Sequence, residues 1–287
     1  MFDHVEAYHR PRSIPEAVRL LRAGGGARVV AGGTDVIVQA DRGIRALVDI
    51  TRLGLDYIRK NNGGWTIGST TTMASIVDSP ELRKLAGGIL GAAAATCGSV
   101  QLRNMATVGG NLANASPAAD LATPLLALDA TVVVAGERAR RKIPLEDFFD
   151  GPRETKLGGR LLIEVQIPLT PRGRTGWSFQ KLGRTEVDIA LVNVAAALQL
   201  DPRGRVKWAR LALGAVAPTP IRARAAEAAI TGHPLDAGLI DEAAAEAARA
   251  TQPISDIRAS ADYRREMARV LTARALRECA REAGFSL

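Results

Sequence analysis

Apolar and polar positions change period several times in the first fifty residues. In SIPEAVRLLRAGG (13–25) the apolar residues recur at helical spacing. Ser13 can cap the helix, Pro15 suits its first turn, and Gly24 to Gly26 stop it. ARVVAGG (27–33) is a short apolar run read as a buried strand, TDVIVQADRG (34–43) a second element, and IRALVDI (44–50) another strand. The stretch therefore predicts a small β-α-β-type unit with Gly32 and Gly33 directly after a strand.

From about residue 55 the pattern changes. WTIGSTTTMASIV (65–77) predicts a strand that runs through a Gly-Ser-Thr turn into a helix start. SPELRKLAGGILGAAAATCG (79–98) follows as helix, with Ser79 as cap and Pro80 at the first helical position. ATVVVAG (130–136) and RLLIEVQIP (160–168) read as strands, with IPLEDFFDGPRETKLGG (143–159) as the loop between them. The Pro-, Gly- and Arg-rich LTPRGRTG (169–176) marks a boundary. Beyond it, GWSFQKLGR, DIALVNVAAALQLD and GRVKWARLALGAV predict three strands, and three helices follow, the last over ADYRREMARVLTARALRECAREAG. The fold class is α+β.

The 287 residues suit two domains, and the 47% apolar and 24% charged residues are those of an ordinary globular protein. With only 4% aromatic residues, the core must be filled by Ala, Val, Leu and Ile. No stretch reaches the ~20 apolar residues of a membrane span, and the N-terminus lacks the pattern of a secretory signal. A cytoplasmic location is the expectation. The net charge of +8 is spread along the chain. Only RARRK (138–142) is a tight cluster, and between two strand-like runs it reads as a solvated hairpin rather than a nucleic-acid site. The positive surface as a whole could still meet an anionic small molecule or an acidic partner subunit.

Residues for bond-making chemistry are sparse. His4, His9 and His233 are isolated, and no nucleophile elbow or P-loop occurs. No catalytic residue and no metal site is expected. Cys97 and Cys279 are too few to ligate an iron–sulfur cluster. Two glycine pairs stand out instead. VVAGGTD (29–35) and TVGGN (107–111) each offer close backbone approach and a concavity of amides, with Thr34, Asp35 and Asn111 adding side-chain capacity. Either pair alone reads equally well as a tight turn, but two from distant parts of the chain can grip one diphosphate. Downstream, Ser116 and Pro117 are expected to start a helix that presents Asp120.

VVAGGTDVIVQ, RNMATVGGNLANASPAADLATPLLALDATVVV and IPLEDFF resemble the FAD-binding (medium) subunit of the molybdenum hydroxylases, the xanthine dehydrogenase and carbon monoxide dehydrogenase type. The likeness continues through FQKLGRTEVDIALVNVAAAL and ARLALGAVAPTPIRARAAEAAITG, so it spans nearly the whole chain in order. It implies a vanillyl-alcohol-oxidase-like (PCMH-type) FAD-binding domain over 1–172, in subdomains of about 1–54 and 55–172. A C-terminal domain, a three-stranded sheet plus helices, would occupy 177–287.

By that resemblance Val30, Ala31, Gly32, Gly33, Thr34, Asp35 and Val36 would wrap the FAD diphosphate through backbone amides. Thr107, Gly109, Gly110 and Asn111 would form a second clamp on diphosphate and ribityl, with Asn114 as a further polar contact. Asp120 would accept from the adenosine ribose, and Leu162 would be an apolar contact near the flavin. Lys181 would lie near the isoalloxazine, although it reads equally as an exposed surface lysine. The resemblance further implies an electron-transfer subunit that passes electrons from [2Fe–2S] clusters through FAD to an external acceptor. Molybdopterin would sit on a large partner subunit and the clusters on a small one, in a dimer of heterotrimers. No His or Cys lies in either glycine loop, so the FAD is expected to be non-covalent. The family's benzoyl-coenzyme-A-type branch inserts a cysteine cluster in this subunit; two distant cysteines exclude that branch. The alternatives are a stand-alone FAD-dependent oxidase on the same fold and a flavin-free scaffold subunit.

Overall fold

A computed structural model describes residues 4–287. Its contacts divide the chain into two compact units that interleave along the sequence. The first comprises Met1–Ser75, Ser99–Ala115 and Ala130–Leu169, and the second Ile76–Gly98, Ser116–Asp129 and Thr170–Leu287.

The first unit holds two sheets. The β-α-β pattern of the opening residues produces a three-stranded parallel sheet in the order Ala7–His9, Ala46–Asp49, Ala27–Val30. Helix Ile14–Arg22 starts as its residues predict, with the Ser13 hydroxyl accepting from the Glu16 amide and Pro15 in the first turn. The second sheet is antiparallel and five-stranded, in the order Ile58–Asn61, Gly64–Gly68, Leu161–Pro168, Thr131–Ala135, Arg140–Pro144. Ala17 and Val18 of the helix share one core cluster with Val48 of the parallel sheet and Val133, Leu161 and Ile163 of the antiparallel one. That shared burial joins the two sheets of this unit.

The second unit carries an antiparallel sheet in chain order: Arg174–Leu182, Val192–Leu200, Val206–Gly214 and a two-residue fourth strand, Ile221–Arg222. The sequence pattern gives three of these; a two-residue strand has no alternation to read. Every residue of Val192–Leu200 is buried. Helix Ala261–Glu282 and the wholly buried helix Ala122–Ala127 both pack on this strand, which is apolar apart from Asn193 and Gln199.

Three local expectations change. SPELRKLAGGILGAAAATCG is not one helix: Gly87 and Gly88, both at positive φ, break it into Pro80–Lys84 and Ile89–Ala95. IPLEDFFDGPRETKLGG is not all loop: its first two residues complete strand Arg140–Pro144, and Phe149–Gly151 pairs with Glu154–Thr155. Ser116 and Pro117 do not start a helix. They form a turn, in which the Ser116 hydroxyl accepts from the Ala118 amide and its carbonyl from the Ala119 amide; the helix begins at Ala122. Asp120 therefore sits in a turn before the helix. The local side-chain bond of Ser116 competes with helical pairing. Among the described residues no helix is long and apolar enough to cross a membrane.

Candidate functional site

In the first unit the two glycine segments touch. Strand Ala27–Val30 runs out through Ala31 and Gly32 to Gly33, whose φ of 70° turns the chain into the short helix Thr34–Gln39. A side chain on Gly32 would place its Cβ 1.7 Å from the Met105 carbonyl oxygen, so only glycine lets this loop pass the segment leading to TVGGN. At the other end of the helix, Gln39 Nε2 donates to Asn114 Oδ1 at 2.8 Å. Loop 30–36 and segment 105–114 are thus held together at both ends.

Their donors differ in state. Gly33 caps helix Thr34–Gln39 with no side-chain bond, and among the described residues the amides of Gly33, Thr34, Asp35 and Val36 meet no acceptor. Unpartnered amides at a helix start favour an anion. TVGGN is not the loop its composition predicts: Val108–Ala113 is a short helix capped by Thr107, whose hydroxyl accepts from the Gly110 amide at 3.1 Å. The Gly109 amide donates to the Ser69 carbonyl at 2.8 Å. A Cβ on Gly109 would lie 2.6 Å from Ser69 Cβ. Gly109 therefore seats this helix against Ser69, while Gly110 spends its amide on the Thr107 cap.

That contact brings in a segment the sequence reading passed over. Ser69 is 2% exposed and Thr70 7% exposed, and both hydroxyls are buried without a hydrogen-bond partner. Thr71, by contrast, is satisfied through the Tyr57 carbonyl and amide. GSTTT reads as a turn because nothing local says that two of its hydroxyls will be buried. Buried hydroxyls without partners are costly unless something outside the chain supplies the bond. They and the free amides of 33–36 fit a bound group rich in oxygen acceptors.

Leu162 lies inside the antiparallel sheet, 3% exposed, opposite Val134 and beside a bulge in the strand. The remaining two residues belong to the second unit. Lys181 is no surface lysine: its side chain is 7% exposed, and its Nζ lies 3.0 Å from Asp120 Oδ1 while donating to the Thr96 carbonyl. Burial pushes the Asp120 carboxyl above its ordinary range, opposed by the neighbouring Lys181 ammonium. The pair is built into its unit and buried, so neither charge faces water.

A family model described as "FAD binding domain in molybdopterin dehydrogenase" matches residues 2–170, and one described as "CO dehydrogenase flavoprotein C-terminal domain" matches 177–279. The glyceraldehyde dehydrogenase medium chain of Sulfolobus acidocaldarius is 33% identical over 98% of this chain and 100% of its own length. The xanthine dehydrogenase FAD-binding subunit of Escherichia coli O157:H7 is 34% identical, covering 100% of both chains. Among solved structures, carbon monoxide dehydrogenase from Hydrogenophaga pseudoflava matches with a TM-score of 0.92 at 33% identity, over 97% of this chain and 98% of that one. The glycine loops, the buried hydroxyls beside them and the agreement over almost the whole length have one reading: the chain belongs to the FAD-binding medium subunits of the xanthine dehydrogenase and carbon monoxide dehydrogenase family, and it is an oxidoreductase subunit.

Proposed function

We propose that this chain is the FAD-binding electron-transfer subunit of a cytoplasmic, heterotrimeric molybdenum hydroxylase. A large partner would carry molybdopterin and a small partner the [2Fe–2S] clusters, in a dimer of heterotrimers. FAD accepts electrons singly and hands them on in pairs, which suits it to join one-electron clusters to a two-electron acceptor. The observation that carries the reading is that unpartnered amides at 33–36 and the unpartnered hydroxyls of Ser69 and Thr70 lie on two segments of the first unit that both pack against residues 105–109.

In this reading Val30 to Val36 hold the diphosphate, with Gly32 and Gly33 giving the closest approach and Thr34 a hydroxyl. Thr107 and Gly109 hold residues 69–72 in place, with Gly110 fixing the Thr107 cap, so that Ser69 and Thr70 supply polar contacts alongside Asn111 and Asn114. Leu162 contributes apolar surface. Asp120 and Lys181 remain in the proposal as cofactor contacts, but they act as one neutralised pair. Residues 1–172 serve as the FAD-binding domain and 177–287 as its companion.

The test is the single change Ser69→Ala. It removes a hydroxyl that has no partner among the described residues, so the flavin-free protein should keep its stability while FAD retention falls. Visible flavin absorbance per chain after gel filtration reads the second effect, and urea denaturation of flavin-free protein the first. Full flavin retention in both Ser69→Ala and Thr70→Val would remove the observation on which the reading stands.

A further inference from the structure

The RARRK segment has no part in the flavin reading, yet the first unit gathers further charge around it. A cavity of about 420 Å³ is lined by Arg22, Arg138, Arg140, Arg141, Arg160 and the carboxylate of Glu137. The five arginines come from three places in the chain. Arg22 ends helix Ile14–Arg22, Arg138 to Arg141 form the turn and first residues of the hairpin between Thr131–Ala135 and Arg140–Pro144, and Arg160 precedes strand Leu161–Pro168.

Their charge is poorly compensated. Among the described residues Glu137 is the one carboxylate lining the cavity, against five arginines. Glu137 meets Arg22 at 3.4 Å. Arg160 spends its Nη1 on the carbonyls of Lys156 and Leu157, which carry no charge. The side chains of Arg138 and Arg141 have no hydrogen-bond or ion-pair partner among the described residues, and both residues are exposed. Charged side chains on the open edge strand Arg140–Pro144 discourage strand pairing, which accounts for Arg141 and Lys142. It does not account for Arg22 and Arg160, which reach the same cavity from other elements.

Two features narrow the ligand. Every cation lining the cavity is arginine and none is lysine. The planar guanidinium fork binds oxoanions through paired hydrogen bonds, whereas an ammonium acts as a point charge. The site is an open depression whose volume of about 420 Å³ suits a small ligand. We propose that this cavity is a second anion site, sharing no residue with the flavin loops, that takes a compact, multiply charged oxoanion: a diphosphate group, free or carried by a nucleotide.

The test uses the FAD-loaded full chain, so that the flavin loops are already filled. Titration calorimetry with pyrophosphate, and separately with ADP, at fixed ionic strength should give saturable binding of one ligand per chain. Equal affinity for the two would assign free diphosphate, and tighter ADP binding a nucleotide. The double variant Arg138→Ala/Arg141→Ala should weaken binding by about tenfold or more, the value of a charge-assisted contact. Glu137→Gln should tighten it, because it removes the one negative lining group. Flavin content should be unchanged in all three proteins, which separates a failure here from a failure of the flavin reading. Heats that vanish at matched ionic strength, or an unaltered affinity in the double arginine variant, would overturn the site. So would an oligoglutamate peptide that binds more tightly than pyrophosphate, since the surface would then belong to a protein partner.

Discussion

Gly32 passes the backbone of Met105 so closely that a Cβ at position 32 would stand 1.7 Å from the Met105 carbonyl oxygen and 3.2 Å from the Ala106 amide nitrogen. Both neighbours are backbone, so no side-chain rotation can relieve the clash. The two glycine segments of the flavin reading therefore depend on one another through a single atom that is missing from one residue.

The first prediction follows directly. Gly32→Ala must push loop 30–36 away from segment 105–110, at a cost of about 3 kcal/mol or more to the first unit. Purified Gly32→Ala should be flavin-poor in its visible spectrum. Gly33→Ala tests the turn instead, because at φ 70° an alanine is strained while its Cβ meets only side-chain carbons, at 3.4 Å and beyond. The Gly33 change should be the milder of the two.

The buried pair of Asp120 and Lys181 gives a second prediction. Asp120→Ala leaves the Lys181 ammonium inside its unit with only the neutral Thr96 carbonyl as partner, at a cost of about 3–5 kcal/mol. Removing both charges in Asp120→Leu/Lys181→Met should restore most of that stability. Flavin retention separates the roles. If the pair also touches the cofactor, the double variant recovers its denaturation midpoint but not its flavin.

Acid stability should depend on Asp49. Burial raises its carboxyl, but the Thr51 hydroxyl and amide, the Tyr8 hydroxyl and the Arg10 guanidinium donate to it and hold its pKa at about 2. A carboxyl lowered on folding stabilises the native state above its unfolded pKa of ~4, and that contribution is lost as pH falls through the folded value. The window is therefore roughly pH 4 down to about 2. With Arg10 half exposed, the contribution is discounted to about 1–2 kcal/mol. Asp49→Asn should be less stable than the parent at neutral pH, and the gap should narrow in chemical denaturation series run through that window.

In the second unit, Arg222 is the tie between helix, sheet and turn. Its side chain is 3% exposed, with Nη1 2.7 Å from Asp129 Oδ1 and Nε 2.6 Å from Glu227 Oε1. It also donates to the Leu126 carbonyl at the end of helix Ala122–Ala127. Arg222→Met leaves the buried Glu227 carboxylate with the Leu211 amide and the exposed Arg224 as its donors, and should cost about 3–5 kcal/mol. The denaturant midpoint should fall accordingly. Arg224→Met, whose side chain is 58% exposed, should shift it far less.

Much of the molecule was legible from period and punctuation alone. Helix Ile14–Arg22, the strand before Gly32 and Gly33, and the three long strands of the second unit follow from local spacing, capping residues and turn residues. The glycine pairs marked the flavin segments for the same reason: a backbone that must pass close to something excludes a Cβ, and that exclusion is written in residue type. Long-range pairing decided the rest. Ser69 and Thr70 are ordinary turn residues until the tertiary fold buries their hydroxyls, with Gly109 packed against Ser69, and Lys181 looks like a surface lysine until Asp120 and Thr96 are folded around it. Ser116 and Pro117 could have opened a helix, but their turn bonds hold Asp120 ahead of it. The arginines of RARRK are a solvated hairpin in sequence and become one wall of a cavity only when Arg22 and Arg160 arrive from more distant positions. Burial and charge compensation depend on which distant residues meet, and a linear pattern holds only what each residue does to its near neighbours.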